Sequence, residues 1–356
     1  MHIITQGREV VNESVRKSAK WIQKRKQAIY MSHRLQAVPS LEKRAGRMAW
    51  CSTLRHSFIC PDCGKVHYKS GGYCRDRLCP MCQWRMSMTK YRQMMEVLSA
   101  LSERFKNQEI FASMLTLTCR NVPVEELKGT LVTFGRAWQA VSRRVCLTQS
   151  HVIGWARNTE ITRNPRAKNY HPHIHVFLLW EADETLDINS EVKAIRQEWE
   201  RQIQADYPTI WHHEIAFSKS GTAKYITDYQ SDAEAAAAEA SMYALSSSVL
   251  LQIPEDELSS FAYAINNVKM TGYGGIIKQV RAQLDLKEEA IDDHICTEKP
   301  ICPGCGAEML HLVERWNNGE DNNVAPSIAG TSNDVYNAQF MPNINGCYEV
   351  IEVIEP

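Results

Sequence analysis

The sequence lacks a long apolar run. No stretch of the 356 residues approaches the ~20 consecutive apolar residues that a membrane-spanning helix needs. The first residues also lack the apolar segment of a secretory signal peptide. We therefore expect a cytoplasmic protein with no membrane partner. A hydrophobic content of 44% is ordinary for a globular protein, and the length allows two or three domains.

Nucleotide-binding loops are missing as well. The glycine-rich stretch from Thr271 to Gly275 is too irregular for a dinucleotide-binding fingerprint, and no Walker-type lysine loop occurs anywhere in the sequence. These absences argue against an ATPase or helicase activity of this chain by itself.

The net charge is zero, but this average hides a division of the chain. Residues 1–110 hold 21 Lys and Arg against 8 Asp and Glu, and the remainder holds 20 against 33. A basic excess over so long a segment favours contact with nucleic acid, although charge runs often form solvated helix faces instead. Phosphate contacts would make the binding strongly salt-dependent. The candidate DNA-binding residues of this region are Lys24, Arg25, Lys26, Arg44, Arg47, Arg75, Arg77 and Arg85.

A histidine-rich segment is the most informative stretch of the chain. Residues 170–180 read Tyr-His-Pro-His-Ile-His-Val-Phe-Leu-Leu-Trp. Side chains on a strand alternate between its faces, so His171, His173 and His175 would share one face. Imidazole is the commonest metal ligand in proteins, and this row therefore predicts a metal site. A histidine-rich edge strand without a ligand is the alternative.

A carboxylate is predicted to lie beside these histidines. Residues 158–163 form another strand-like run, and the short polar connection that follows favours an antiparallel pair. Glu160 could then complete a set of two imidazoles and one carboxylate, which suits a divalent ion with open positions. The oxygen ligand favours Mg²⁺ or Mn²⁺. Glu160 could equally be an exposed strand residue.

Several of the 12 cysteines form Cys-x2-Cys pairs, which in a cytosolic protein indicate metal sites. Cys60, Cys63, Cys79 and Cys82 have the spacing of one structural zinc site with four thiolates. One of the nearby residues Cys51, His56, His67 and Cys74 could replace a ligand, or several of them could build a second site. A second zinc knuckle is predicted at Cys302 and Cys305, with Cys296, His294 and His311 as candidate partners.

His173-Ile174-His175 resembles the His-hydrophobic-His motif of the HUH endonucleases, most closely that of rolling-circle plasmid replication initiators. An upstream Leu-Thr strand at residues 114–118 and Ala223-Lys224-Tyr225 are similar to further motifs of that family, in the same order. The resemblance implies a nickase and strand transferase in which Tyr225 becomes joined to the 5′ phosphate of the cut strand. It also implies single-stranded or hairpin DNA at an origin as substrate; a host helicase is a candidate partner.

The sequence departs from the family at two positions. Asp228 stands where many relatives have Lys, and Gly221 stands where single-tyrosine initiators have Glu. Tyr229 could act as a second nucleophile, or Asp228 could serve as a base, and the sequence does not choose between them. Lys224 could lower the pKa of the neighbouring phenol, because a positive charge favours the phenolate.

We therefore expect an α+β protein whose HUH-type domain has a central antiparallel sheet flanked by helices. The expected order is a basic helical segment (1–50), a zinc-ribbon module (51–108), the nuclease domain (109–250), a mainly helical region (251–315) and a loosely ordered tail (316–356). An HUH-type single-strand transposase and a non-catalytic zinc-ribbon DNA-binding regulator are the alternative functions.

Overall fold

Two antiparallel sheets, each with its own helices, make up the fold. The computed structural model describes residues 2–69, 72–106, 110–146, 150–181, 183–203, 245–286, 301–317 and 347–354. One unit, here called the terminal unit, is built from Met1–Arg85, Leu250–Glu255 and Ile291–Pro356. The other, the central unit, comprises Met86–Val249 and Asp256–Ala290. The expected α+β class is confirmed.

The described helices are α1 (His2–Gln36), α2 (Glu42–Ala49), α3 (Pro80–Arg104), α4 (Val124–Val141), α5 (Ile188–Ile203), α6 (Ser247–Gln252), α7 (Glu255–Ile265) and α8 (Gly275–Gln283). The strands are β1 (Leu54–Ile59), β2 (Val66–Lys69), β3 (Ile110–Thr118), β4 (Val152–Asn164), β5 (Asn169–Glu181), β6 (Thr271–Gly274), β7 (Leu310–Asn317) and β8 (Cys347–Ile354). Within the described part of the chain, no helix combines the length and apolarity that crossing a membrane requires.

The sheet of the terminal unit joins segments from both ends of the chain. Its order is β2-β1-β7-β8, and every neighbouring pair is antiparallel. Phe58 of β1 lies opposite His67 on one side and His311 on the other. Because β1 pairs with β7, this unit is discontinuous in sequence, in contrast to the consecutive modules expected from the sequence.

The sheet of the central unit has the order β3-β5-β4-β6, again antiparallel throughout. Strands β4 and β5 form a hairpin. Their pairing runs in continuous register from Asn164 opposite Asn169, beside the turn, to Gly154 opposite Leu179. On one face, Trp199 of α5 packs against Phe134 of α4 and donates its indole N–H to the Thr118 carbonyl at 3.2 Å. This packing fixes α4 and α5 on that face.

The opposite face of the central sheet is apolar along only part of its length. Phe177 and Leu179 of β5 pack with Met114 of β3. Helices α3 and α8 cover them with a set of apolar side chains, namely Met94, Val97, Leu98, Leu101, Ile276, Ile277 and Val280. The remaining part of the face carries the polar residues described below.

Two expectations for the C-terminal part of the chain need correction. The glycine-rich stretch that interrupts the expected helical region is strand β6, paired with β4 at the edge of the central sheet. Gly274 is required there because a Cβ at this position would overlap the Trp155 ring. The expected loose tail contains β8, since residues 347–354 pair with β7.

Candidate metal centre

The polar part of the central sheet begins where the cover of α3 and α8 ends. From Phe177 towards the N-terminal end of β5, the next residues on the same face are His175 and then His173. Register places Glu160 of β4 opposite His173, and it places Thr116 of β3 opposite His175. Alternation of side chains along paired strands therefore puts these groups on one face.

Three of these side chains meet. The Glu160 Oε2 atom lies 3.2 Å from Nε2 of His173 and 3.2 Å from Nε2 of His175. The donor atoms of all three residues lie within 4.8 Å of one another, and their side chains are largely buried. We call Glu160, His173 and His175 the metal triad.

The charge of Glu160 is maintained despite its burial. Burial by itself raises the pKa of this carboxyl, but the hydrogen bonds and positive charge of His173 and His175 outweigh it and lower the pKa to about 2. The group is thus a carboxylate at neutral pH.

Partners on the far side of each ring orient the imidazoles. His173 Nδ1 lies 3.3 Å from the His171 carbonyl, which can only accept a hydrogen bond. With a cation in the triad, Nδ1 would keep the hydrogen that this carbonyl accepts, and Nε2 would offer its lone pair to the cation in place of its hydrogen bond with Glu160. The Thr116 hydroxyl lies 3.2 Å from His175 Nδ1 and is able to accept a hydrogen bond from it.

The triad fits a divalent cation by its donor chemistry. Two imidazole nitrogens and one carboxylate oxygen converge, and three protein ligands leave coordination positions for a substrate oxygen. The carboxylate agrees with the expected Mg²⁺ or Mn²⁺.

His171 shares the face but lies outside the triad, which corrects its inclusion among the ligand candidates. Its Nε2 lies 3.0 Å from the Thr118 hydroxyl, and its Nδ1 lies 2.8 Å from the side-chain oxygen of Asn121. Both ring nitrogens are therefore engaged by neighbouring side chains instead of facing Glu160.

The candidates for the covalent step fall in a part of the chain that the structure does not describe. Lys224, Tyr225, Asp228 and Tyr229 all lie outside the described residues, and so does Cys296. Their roles stay predictions.

The cysteines form two groups of four, and these differ from the predicted set. Cys60 and Cys63 meet Cys302 and Cys305, while Cys79 and Cys82 meet Cys51 and Cys74. The prediction of a single site from Cys60, Cys63, Cys79 and Cys82 is thus corrected, because the β1–β7 pairing brings the distant knuckle to Cys60. A sequence signal existed: Cys-Pro-x-Cys-Gly occurs at residues 60–64 and again at 302–306, but not at 79–83.

Several of the basic DNA-binding candidates have structural partners instead. Arg25 is buried and donates hydrogen bonds to the carbonyls of Cys51 at 2.9 Å and Ala49 at 2.7 Å, so it is not available for DNA. Lys24 is also buried, and burial together with repulsion from Lys20 lowers its pKa to about 8. The sequence could not separate these residues from exposed ones because charge alone does not report burial.

Other members of the basic set lie nearer the surface. Arg85 stacks over the rings of Trp21 and Trp84, and Arg44 forms a two-point ion pair with Asp76. The Arg47 side chain is 65% exposed. Among the others, Arg75 is exposed, and Lys26 and Arg77 are partly buried.

Comparison with known proteins gives the class of this chain. Residues 65–324 match the profile of Rep_1, a family described as replication protein. Since this match covers well over half of the chain, the chain belongs to that family.

Individual relatives agree with this assignment. A "Protein rep" of Lentilactobacillus hilgardii is 26% identical over 286 residues, which cover 79% of this chain and 87% of that protein. A "Protein rep" of Streptococcus pneumoniae serotype 2 is 27% identical over 253 residues, covering 69% and 73% respectively. No solved structure matches the chain at a significant level. The family and its relatives support the predicted plasmid replication initiator.

Proposed function

We propose that the protein initiates rolling-circle replication of a plasmid by nicking one DNA strand at the origin, as an HUH-type endonuclease. The observation that carries this proposal is the metal triad on the central sheet of a chain that belongs to a replication protein family. A phosphodiester is an anionic and poor electrophile, so a site for a cation is what its cleavage needs. When bound, the ion would withdraw charge from a non-bridging oxygen of the scissile phosphate.

The proposed covalent step is a transfer of the phosphoryl group. The Tyr225 phenolate oxygen forms a bond to phosphorus, and the bond from phosphorus to the 3′ oxygen breaks. The products are a 5′-phosphotyrosine and a DNA 3′ hydroxyl, which takes up a proton. Because the phosphotyrosine keeps the bond energy, the 3′ hydroxyl of a strand can reverse the step and rejoin DNA without an external nucleotide.

The described residues would hold and orient the cation. Glu160 supplies the charge that stays ionised, and His173 and His175 supply two nitrogens on the same face. The His171 carbonyl and the Thr116 hydroxyl keep these rings in the ligating orientation. In this proposal Tyr229 or Asp228 serves the termination step, Lys224 favours the phenolate of Tyr225, and a host helicase unwinds the duplex.

Replacing Tyr225 with Phe tests the nucleophile. A pool of single-stranded oligonucleotides with a random centre and a 3′ fluorophore is incubated with the protein and Mn²⁺. Cleavage by the wild type should leave the fluorophore on the protein in a denaturing gel, because the 3′ segment carries the 5′ phosphate. Tyr225→Phe should abolish this adduct, since the substituted ring has no oxygen to attack.

Tyr229→Phe is the matched control. It should retain the first adduct, and its failure to release or rejoin DNA would assign Tyr229 to termination. An adduct that persists in Tyr225→Phe and disappears in Tyr229→Phe would show that Tyr229, and not Tyr225, is the nucleophile. If the wild type forms no adduct with any member of the pool, the proposed function is wrong.

An exposed tryptophan extends the proposed DNA-binding surface of the terminal unit. Trp50 is the C-cap residue that follows α2 and is 74% exposed, an unusual state for so large an aromatic side chain. Arg47 lies three residues earlier, so the two share one side of the helix. An aromatic ring beside an exposed guanidinium suits single-stranded DNA, whose bases stack while its phosphates pair with the cation.

Trp50→Ala is expected to weaken binding of single-stranded DNA about 5- to 150-fold, because stacking of one base contributes ~1–3 kcal/mol. Fluorescence anisotropy with an oligo-dT probe, without divalent metal, measures the affinity. Leu284→Ala is the control, since Leu284 is an exposed apolar side chain (41%) that has no ring to stack on a base. Equal affinities of Trp50→Ala and the wild type would remove Trp50 from the interface.

A further inference from the structure

We propose that the two cysteine groups are separate zinc sites, and that one of them ties the two ends of the chain together. We call Cys60, Cys63, Cys302 and Cys305 the ribbon site and Cys51, Cys74, Cys79 and Cys82 the helix site. This inference concerns the build of the terminal unit and does not depend on the nicking reaction.

The two halves of the ribbon site have the same backbone structure. The N–H of Gly64 donates to the Cys60 carbonyl at 3.0 Å, and the N–H of Gly306 donates to the Cys302 carbonyl at 2.9 Å. Both glycines have positive φ, 69° and 77°, which a residue without Cβ adopts easily. Two copies of one Cys-Pro-x-Cys-Gly turn thus face each other.

Each sulfur atom of one turn of the ribbon site lies close to a sulfur atom of the other turn. Cys60 Sγ lies 3.4 Å from Cys305 Sγ, and Cys63 Sγ lies 3.5 Å from Cys302 Sγ. The cysteines are free and not disulfide-bonded. The Gly304 N–H also points at Cys302 Sγ at 3.4 Å, as expected for a turn that stabilises a thiolate. Four converging sulfurs without oxygen donors favour zinc in a closed, structural site.

The helix site has its own supporting charge. Cys51 Sγ lies 3.5 Å from Cys82 Sγ and 3.6 Å from Cys79 Sγ, and Cys74 Sγ lies 3.6 Å from Cys82 Sγ. Four thiolates around Zn²⁺ carry a net negative charge. The buried guanidinium of Arg25, bonded to the Cys51 carbonyl, would offset part of it. This gives Arg25 a role in the protein interior.

One ion cannot serve both groups, because strand β1 separates them. Cys51 precedes this strand and Cys60 follows it directly. Six residues of extended chain span ~20 Å at about 3.3 Å per residue, far beyond the reach of one coordination sphere. The structure therefore assigns two ions, and the ribbon ion joins residues that are more than 200 positions apart.

The zinc content of double variants distinguishes the ribbon and helix sites from the site of Cys60, Cys63, Cys79 and Cys82 that the cysteine spacing predicts. The full chain is purified without chelator, and its zinc is measured by mass spectrometry of the native protein. The wild type should hold two ions, and Cys63→Ser and Cys79→Ser should each hold one. The double variant Cys63→Ser/Cys79→Ser should hold none, whereas Cys63→Ser/Cys305→Ser should keep one.

One site from Cys60, Cys63, Cys79 and Cys82, together with a separate site at Cys302 and Cys305, predicts the reverse for the two double variants, and that result would overturn the proposal. Cys347→Ser is the control, because Cys347 is exposed and belongs to neither group; it should retain two ions. One ion or none in the wild type, purified without chelator, would also overturn the proposal.

A second measurement uses only the wild type, so its result does not depend on whether the variants fold. Zinc is removed with a chelator and diamide is added, which oxidises two thiols to one disulfide while it is itself reduced. Peptide mapping should find disulfides within each group, such as Cys60–Cys305, since these sulfurs are nearest. Disulfides that join Cys60 or Cys63 to Cys79 or Cys82 as the main products would contradict the proposal.

Discussion

Glu160→Gln is expected to lower the nicking rate by at least ~10²-fold while the fold is retained. The substitution keeps the shape of the side chain but removes the only negative charge of the metal triad. Changing a residue that merely orients a metal ligand typically weakens metal affinity or activity ~10- to 100-fold, so losing a ligand charge should exceed that. The rate is measured as adduct formation at a fixed Mn²⁺ concentration, and Mn²⁺ affinity is measured separately by isothermal titration calorimetry.

Thr116→Val provides the graded comparison. It removes the hydroxyl at His175 Nδ1 and leaves all three ligands in place. Mn²⁺ affinity should fall ~10- to 100-fold, and saturating Mn²⁺ should restore the rate. Thr130→Val, which removes a hydroxyl that donates to the Glu126 carbonyl within α4, should bind Mn²⁺ normally. Unchanged Mn²⁺ affinity in Glu160→Gln would show that the triad does not hold the ion.

The metal triad was predictable because it depends on local order. A period of two along one strand places His173 and His175 together, and a short hairpin brings Glu160 beside them. Neither step needs knowledge of distant parts of the chain. The exclusion of His171 could not be predicted, because it results from partners on β3 and the segment after it, Thr118 and Asn121.

The cysteine grouping could not be read from spacing because it depends on a long-range strand pair. Spacing favoured Cys60 and Cys79 in one site, since they are near in sequence. The pairing of β1 with β7 instead brings Cys302 and Cys305 to Cys60. The repeated Cys-Pro-x-Cys-Gly turn was the better guide, since identical turns can pack face to face.

Glu314→Gln is expected to destabilise the terminal sheet by about 3–5 kcal/mol, the usual effect of breaking a buried ion pair. Arg55 donates to both carboxylate oxygens of Glu314, at 2.8 and 2.7 Å, and the Ser57 hydroxyl donates to the same group. The Arg55 and Glu314 side chains are only 5% and 10% exposed. Glutamine would remove the carboxylate charge that this buried guanidinium faces. Hydrogen exchange of the β1 amides measures the loss as a lower free energy of opening.

Aromatic rings cannot compensate for the lost carboxylate. The Arg55 guanidinium lies 4.7 Å from the Tyr68 ring centre and 4.2 Å from that of Tyr348. A cation–π contact contributes ~0.5–2 kcal/mol, and both contacts already exist in the wild type, so no new stabilisation arises.

Glu126→Gln is the matched control for this prediction, because it breaks an ion pair with Arg120 whose side chains are 45% and 41% exposed. Exposed pairs contribute at most ~1 kcal/mol, so this variant should scarcely change stability. Since β1 pairs with β7, the loss in Glu314→Gln should appear in the amides of both strands. A change in β1 no larger than the small effect of the control would show that β1 and β7 are held by backbone pairing and the ribbon site, and that the buried ion pair is dispensable.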